Sequence, residues 1–215
     1  TFVKDVAGVV AEQNPADVDA LLACKMGEDT VEAALKEKIL VIGENIKIRR
    51  FERFEGICSA YIHAGGTHAV LVAFETSDEI AANPAFEACG KDVCMQIAAV
   101  NPTYVRESDV PAAVVEEEKK ILLAQIESDP KNANKPAQVK EKMITGKIGK
   151  FYKENCLVDQ EFVKDPDLTV GKYVAKVAGE LGGDIQVVKF VRYEKGEGLE
   201  KRNDDFASEV ASMMK

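Results

Sequence analysis

The residues best suited to chemistry in this 215-residue chain are two histidines, five cysteines and three consecutive glutamates. The histidines, His63 and His68, belong to no HExxH pattern, and neither GxSxG nor Walker A occurs. Gly146-Lys147 and Gly171-Lys172 lack the upstream glycine and the following Ser or Thr, so they do not cradle phosphate. Cys24, Cys58, Cys89, Cys94 and Cys156 form an odd, unclustered set. Cys89 and Cys94 do not have the two-residue spacing of a zinc knuckle or redox pair. Buried reduced thiols are the simpler reading. Glu116-Glu117-Glu118 stands beside Lys119-Lys120, which suits a solvated helix face better than an acid/base pair. No catalytic constellation emerges. The pattern favours a protein that acts by binding, not an enzyme, with no metal and no cofactor.

Composition bounds the partners. With 46% hydrophobic residues the chain can bury a core, and 30% charged residues keep it soluble. A net charge of −9 provides no global positive field for phosphates, which argues against direct nucleic-acid binding. The short basic run Lys47-Ile48-Arg49-Arg50 reads as a solvated strand face. No stretch approaches the ~20 apolar residues of a membrane span. No secretory signal is present, so the expected location is cytoplasmic.

The elements that must position a binding surface follow from periodicity. Residues 14–42 read as two helices. Asn14-Pro15 would cap the first, with proline at its first helical position, and Gly27 separates them. Asp29 or Thr30 caps the second, in which Val31, Ala34, Leu35, Ile39 and Ile42 recur at helical spacing until Gly43 ends it. The period then changes to two, with Ile46 and Ile48 opposite Lys47 and Arg49, predicting a strand over 46–54. The junction presents Ile42, Gly43 and Glu44 as a docking knob, although an ordinary capped helix end has the same spacing. Strands are expected at 57–64 and 68–75, joined through Gly65-Gly66. A helix follows from Pro84 to about Val100, stopped by Asn101-Pro102.

Residues 111–152 predict two charged amphipathic helices with narrow apolar seams. One seam runs through Val114, Val115, Ile121, Leu122 and Ile126, the other through Val139, Met143, Ile144, Ile148 and Phe151. A polar loop at 128–136 joins them as a protruding antiparallel hairpin. A helix over Thr169–Leu181 ends at Gly182-Gly183. Ile185 to Tyr193 is then a strand that rejoins the sheet of 57–75. A last helix from about Asn203 carries the stripe Phe206, Val210 and Met213, which must dock on its own body or on a partner.

The run Val41-Ile42-Gly43-Glu44-Asn45-Ile46-Lys47-Ile48-Arg49-Arg50 resembles the corresponding stretch of the bacterial elongation factor Ts family. So do Thr1-Phe2-Val3, Tyr61-Ile62-His63, Met95-Gln96-Ile97-Ala98-Ala99, Phe162-Val163, Thr169-Val170-Gly171 and the segment Phe190 to Lys201. Their common order and compatible spacing make the resemblance specific. It implies an α+β fold of two small antiparallel-sheet/helix subdomains, the first incomplete. Residues 1–55 would end the first subdomain, and 56–110 with 153–194 would form the second. Residues 111–152 would be the inserted hairpin and 195–215 a C-terminal helical module. A small helical domain and the first core strands would precede Thr1, so the chain reads as a fragment that begins at the end of a strand.

For function, the resemblance implies a guanine-nucleotide exchange factor of translation elongation. Such a factor binds elongation factor Tu, both GDP-bound and nucleotide-free, disturbs its Mg²⁺ and phosphate contacts, and promotes GDP release so that GTP can load. The family's wedge is the phenylalanine of a Thr-Asp-Phe-Val-Ala-Lys loop. Phe2, followed by Val3, would be that residue, although Thr1-Phe2-Val3-Lys4 lacks the Asp and the Ala. Ile42 and Gly43 would sit beside it on the GTPase domain, and His63 would contact a helix of that domain. On its own, His63 also reads as an ordinary sheet histidine. Phe162, Val163 and Lys164 would touch the partner's other end, with Lys164 making polar a contact that a relative makes with methionine. Phe206, Val210 and Met213 would pack on the GTPase domain. Two alternatives stand beside this reading. One is a binding or scaffold fragment that does not accelerate exchange. The other is an enzyme whose site has no recognisable motif.

Overall fold

The computed structural model describes residues 1–199. They fall into two compact units, Thr1–Glu55 and Gly56 onward, each built as α+β.

The first unit begins with α1 (Phe2–Gln13), not with the end of a strand. Phe2, Val6, Val9 and Val10 recur at helical spacing, and that stripe packs on Leu21 and Val31. Asn14 adopts the left-handed conformation at φ 48° and closes α1, its N–H donating to the Val10 carbonyl. Asn14 therefore caps a helix end and does not start a helix. The following Pro15 disfavours right-handed helix at Asn14, and asparagine tolerates the left-handed one. Asp17 does the N-capping instead, accepting from the Ala20 amide at 2.8 Å to start α2 (Val18–Ala23). Gly27 turns a minimal hairpin, β1 (Lys25–Met26) and β2 (Asp29–Thr30). Thr30 Oγ1 caps α3 (Val31–Ile42), which Gly43 ends at φ 76°. The strand expected over 46–54 does not form. Alternation makes a strand only where a partner supplies ladder hydrogen bonds, and among the described residues of this unit none does. Ile48 and Phe51 instead turn onto the helical cluster.

The second unit is built on a three-stranded antiparallel sheet in the order β3-β4-β7: β3 (Ile57–His63), β4 (His68–Glu75) and β7 (Gln186–Glu194). The β3–β4 hairpin turns through Gly65 and Gly66, and β7 rejoins β4 as expected. After a single turn, α4 (Asp78–Ala81), comes α5 (Pro84–Val100), capped by Asn83 and closed by left-handed Asn101. α5 lies directly on β3. A Cβ on Gly90 would fall 2.0 Å from Ser59 Oγ, so only glycine permits this approach. The inserted hairpin is α6 (Ala112–Ser128) and α7 (Ala137–Asn155). Leu122, Ile126 and Ile148 are buried in its seam, whereas Ile121 and Val139 are exposed. The seam follows the 3.6-residue period, which takes Leu122 and Ile126 and rotates Ile121 out.

Backbone bonds tie the two ends of the hairpin together. The Thr103 and Tyr104 amides donate to the Asn155 carbonyl, and the Leu157 amide donates to the Tyr104 carbonyl. A short hairpin follows, β5 (Glu161–Phe162) and β6 (Asp165–Thr169), and then α8 (Val170–Glu180), capped by Thr169 Oγ1. The core gathers Val72, Val93, Ile97, Leu157 and Val170, all fully buried.

Candidate partner-binding surface

In the first unit, Leu40, Val41 and Ile42 stand exposed side by side on the last turn of α3, at 83%, 76% and 56% of full accessibility. Gly43 follows immediately, so no side chain screens Ile42 on that side. Three consecutive exposed aliphatic residues make the end of this helix a candidate apolar contact. Phe2 is placed differently from the expectation. It is not at a loop tip. It lies in the first turn of α1, half-buried against the helical cluster, while Val3 points outward at 76% exposure.

The second unit presents two candidate surfaces. At the β3–β4 hairpin end His63 is exposed, and its Nδ1 is 2.8 Å from the Tyr61 hydroxyl. The His63 and His68 rings lie 6.1 Å apart across the ladder, in register. With Met95, Ala98, Ala99 and Arg192 they line a depression of about 250 Å³.

The other candidate surface is the turn of the β5–β6 hairpin, formed by Val163 and Lys164. Phe162, expected to touch a partner, is only 3% exposed and stacks on Tyr173 with ring centroids 4.3 Å apart. It anchors the turn from beneath. Val163 is the exposed apolar residue at the tip, at 45%. Lys164 Nζ reaches Asp92 Oδ1 at 2.5 Å, and the Tyr173 hydroxyl donates to Asp92 Oδ2 at 2.8 Å. Burial and this bond to Asp92 push the Tyr173 hydroxyl well above its ordinary range, so it remains a proton donor. Inside, Gln96 is fully buried, and its side chain accepts from the Val163 amide at 2.9 Å.

Phe206, Val210 and Met213 lie outside the described residues. Pattern reading singled out none of Leu40, Asp92 and Tyr173, and Val41 and Gln96 entered it only within runs that carry the family resemblance. A signal for Gln96 was present. It lies three residues after buried Val93 and seven after buried Cys89, so it falls on the inward stripe of α5. A glutamine there must find partners inside.

The remaining reactive groups are quiet. Burial raises the Cys94 thiol to about 12 and, with Asp92 nearby, the Cys89 thiol to about 11. Neither is a nucleophile near neutrality. Glu116 is held below its usual range by a hydrogen bond from Lys119, as a solvated ion pair. No group of three His, Cys, Asp or Glu suited to a metal occurs among the described residues. No helix among them is long and apolar enough to cross a membrane.

The family model described as elongation factor TS matches residues 1–197. A protein named elongation factor Ts from Symbiobacterium thermophilum is 47% identical over 210 residues, covering 95% of this chain and 66% of its own length. One of the same name from Clostridium perfringens is 44% identical over 216 residues, covering 99% and 69%. Another from Nitratiruptor is 40% identical over 225 residues, covering 100% and 70%. The chain spans about two thirds of the length of these relatives. The family match over residues 1–197 takes in α3, the β3–β4 hairpin and the β5–β6 turn, and the chain belongs to the elongation factor Ts family.

Proposed function

We propose that this chain is a guanine-nucleotide exchange factor of translation elongation that acts on elongation factor Tu. The family match over residues 1–197 carries the reading. The exposed end of α3 and the turn at Val163 support it as surfaces of the right kind, apolar and positioned by buried neighbours. The factor binds the GTPase with GDP, loosens the Mg²⁺ and phosphate contacts, and binds the nucleotide-free form most tightly. Linkage then requires nucleotide to weaken the factor's binding as much as the factor weakens the nucleotide's. Ile42, Gly43 and Val3 are the contacts offered by the first unit. His63, Val163 and Lys164 are those offered by the second. Phe206, Val210 and Met213 remain proposed contacts from the sequence pattern. The site of action is the cytoplasm, with no nucleic acid or membrane engaged directly.

A second reading, binding without acceleration, is favoured by one observation. Phe2 packs on its own unit and is not held out as a wedge. The two readings separate in one assay, release of a fluorescent GDP analogue from elongation factor Tu into excess GDP. Acceleration at substoichiometric chain supports exchange. Co-purification without acceleration supports the second reading. Failure of both overturns the assignment to this partner.

A further inference from the structure

The turn that offers Val163 is held from inside by one buried amide. Gln96 Oε1 accepts the Val163 N–H at 2.9 Å, and Gln96 Nε2 donates to the Glu161 carbonyl at 3.1 Å. The same Nε2 donates to Gln160 Oε1 at 3.2 Å, and Gln160 Nε2 donates to the Glu154 carbonyl in the last turn of α7 at 2.9 Å. Both glutamines are buried, at 0% and 2% exposure. Their orientation follows from the backbone groups they meet. A backbone N–H requires an oxygen opposite it and a carbonyl requires a nitrogen, so neither amide can be flipped without losing bonds. The chain of bonds therefore has a direction, donor to acceptor, from the turn through Gln96 of α5 and Gln160 to the end of the helical hairpin.

The outer side of the turn has a different kind of hold. Lys164 pairs with Asp92 on the same helix, and its side chain is about half exposed. Water and salt weaken that pair. The bond to the Val163 amide is shielded from both, and it fixes the backbone whose side chain projects outward.

We infer that Gln96 is the positioning residue of the partner contact at Val163, holding the turn in its bound conformation before the GTPase arrives. The inference rests on the reading that this turn meets elongation factor Tu. Gln96 touches no partner itself. It acts by removing the ordering cost of the turn, so its loss is felt through Val163.

The test is a double-mutant cycle in the full chain with Gln96→Met and Val163→Ala, measuring affinity for nucleotide-free elongation factor Tu. Methionine keeps the volume of glutamine and strands the Val163 amide and the Glu161 carbonyl. Each single change is expected to weaken binding by about tenfold, and the pair by little more than the larger single loss. Losses that multiply, an unchanged affinity in Gln96→Met, or a loss in Gln96→Met with none in Val163→Ala, would each overturn the inference. Amide hydrogen exchange at Val163 in the free chain provides a readout independent of the GTPase. Slow exchange in the parent chain, lost in Gln96→Met, supports the hold. Exchange at the rate of an unprotected peptide in the parent overturns it even if the variant does not fold. If the parent chain does not bind elongation factor Tu at all, the partner reading fails, and the amide measurement still decides whether Gln96 holds the turn.

Discussion

A glutamine can be buried at modest cost only if each of its polar atoms finds a partner, and Gln96 meets that condition with one bond to a side chain and two to backbone. Ile42 is in the opposite situation, an apolar side chain more than half exposed to water at the end of α3. If that patch meets the GTPase, Ile42→Asp puts an unpaired charge into an apolar contact. Titration against elongation factor Tu is expected to show association weaker by about tenfold or more, with the melting temperature of the free chain unchanged, because the site is exposed. Phe2 makes the reverse prediction. It is packed on Val6 and its neighbours, so Phe2→Ala is expected to destabilise the first unit by about 1–3 kcal/mol, seen as a lower urea midpoint. A loss of exchange rate with no loss of stability would contradict that placement and restore Phe2 as a wedge.

Among the elements, α5 carries the most constraints. One face lies against β3, close enough that Gly90 has no room for a Cβ, and the same helix supplies Asp92 and Gln96 to the β5–β6 turn. Gly90→Ala should push α5 off β3 at a cost of about 1–3 kcal/mol. Because the clash is with Ser59 Oγ and Cβ, the added change Ser59→Gly should recover much of the loss. Thermal melts of the two variants check this, and no recovery would mean the strain arises elsewhere. Some helix ends were readable in the chain, among them Thr30, Gly43 and Asn101, whereas Asn14 closes a helix where it was read as starting one. Asn83, Thr30 and Thr169 each cap a helix through their own side-chain oxygen, and Asn101 and Gly43 close helices in the left-handed conformation. Strand 46–54 was misread, because alternation states which faces are apolar and is silent on whether a neighbouring strand exists.

Over the molecule as a whole, ionisation sets an alkaline limit on stability. Burial raises the Cys89 and Cys156 thiols to about 11 and that of Cys94 to about 12, from an ordinary value near 9. Unfolding returns them to the ordinary value, so above pH ~9 the unfolded chain binds fewer protons than the folded one, and stability falls as pH rises. Tyr173 shifts in the same direction. Denaturant midpoints of the second unit, where all four residues lie, are expected to be flat from neutrality to about pH 9 and to decline beyond it. A midpoint that rises over that interval would contradict the burial of these groups. By the same logic an alkylating reagent near pH 8 should label exposed Cys58 well before Cys89 or Cys94.

The chain by itself determined α3, α5, the two hairpin helices, α8, the β3–β4 hairpin and the α+β class, because these depend on residues within a few positions of one another, whereas α1 and the role of Asn14 at its end were misread. Its motifs also pointed to the elongation factor Ts family, since their order along the chain is itself sequence. Tertiary structure decided which of those residues can meet a partner. Phe162 and Val163 are adjacent and both apolar, yet one is buried against Tyr173 and the other stands outside. Gln96 is 67 positions from the amide it holds, and Asp92 is 72 from Lys164. No local pattern encodes such distances. They exist only once the sheet, α5, α8 and Phe162 of the β5–β6 hairpin have closed around one core, and the cost of leaving a buried polar group unpaired then selects the partners.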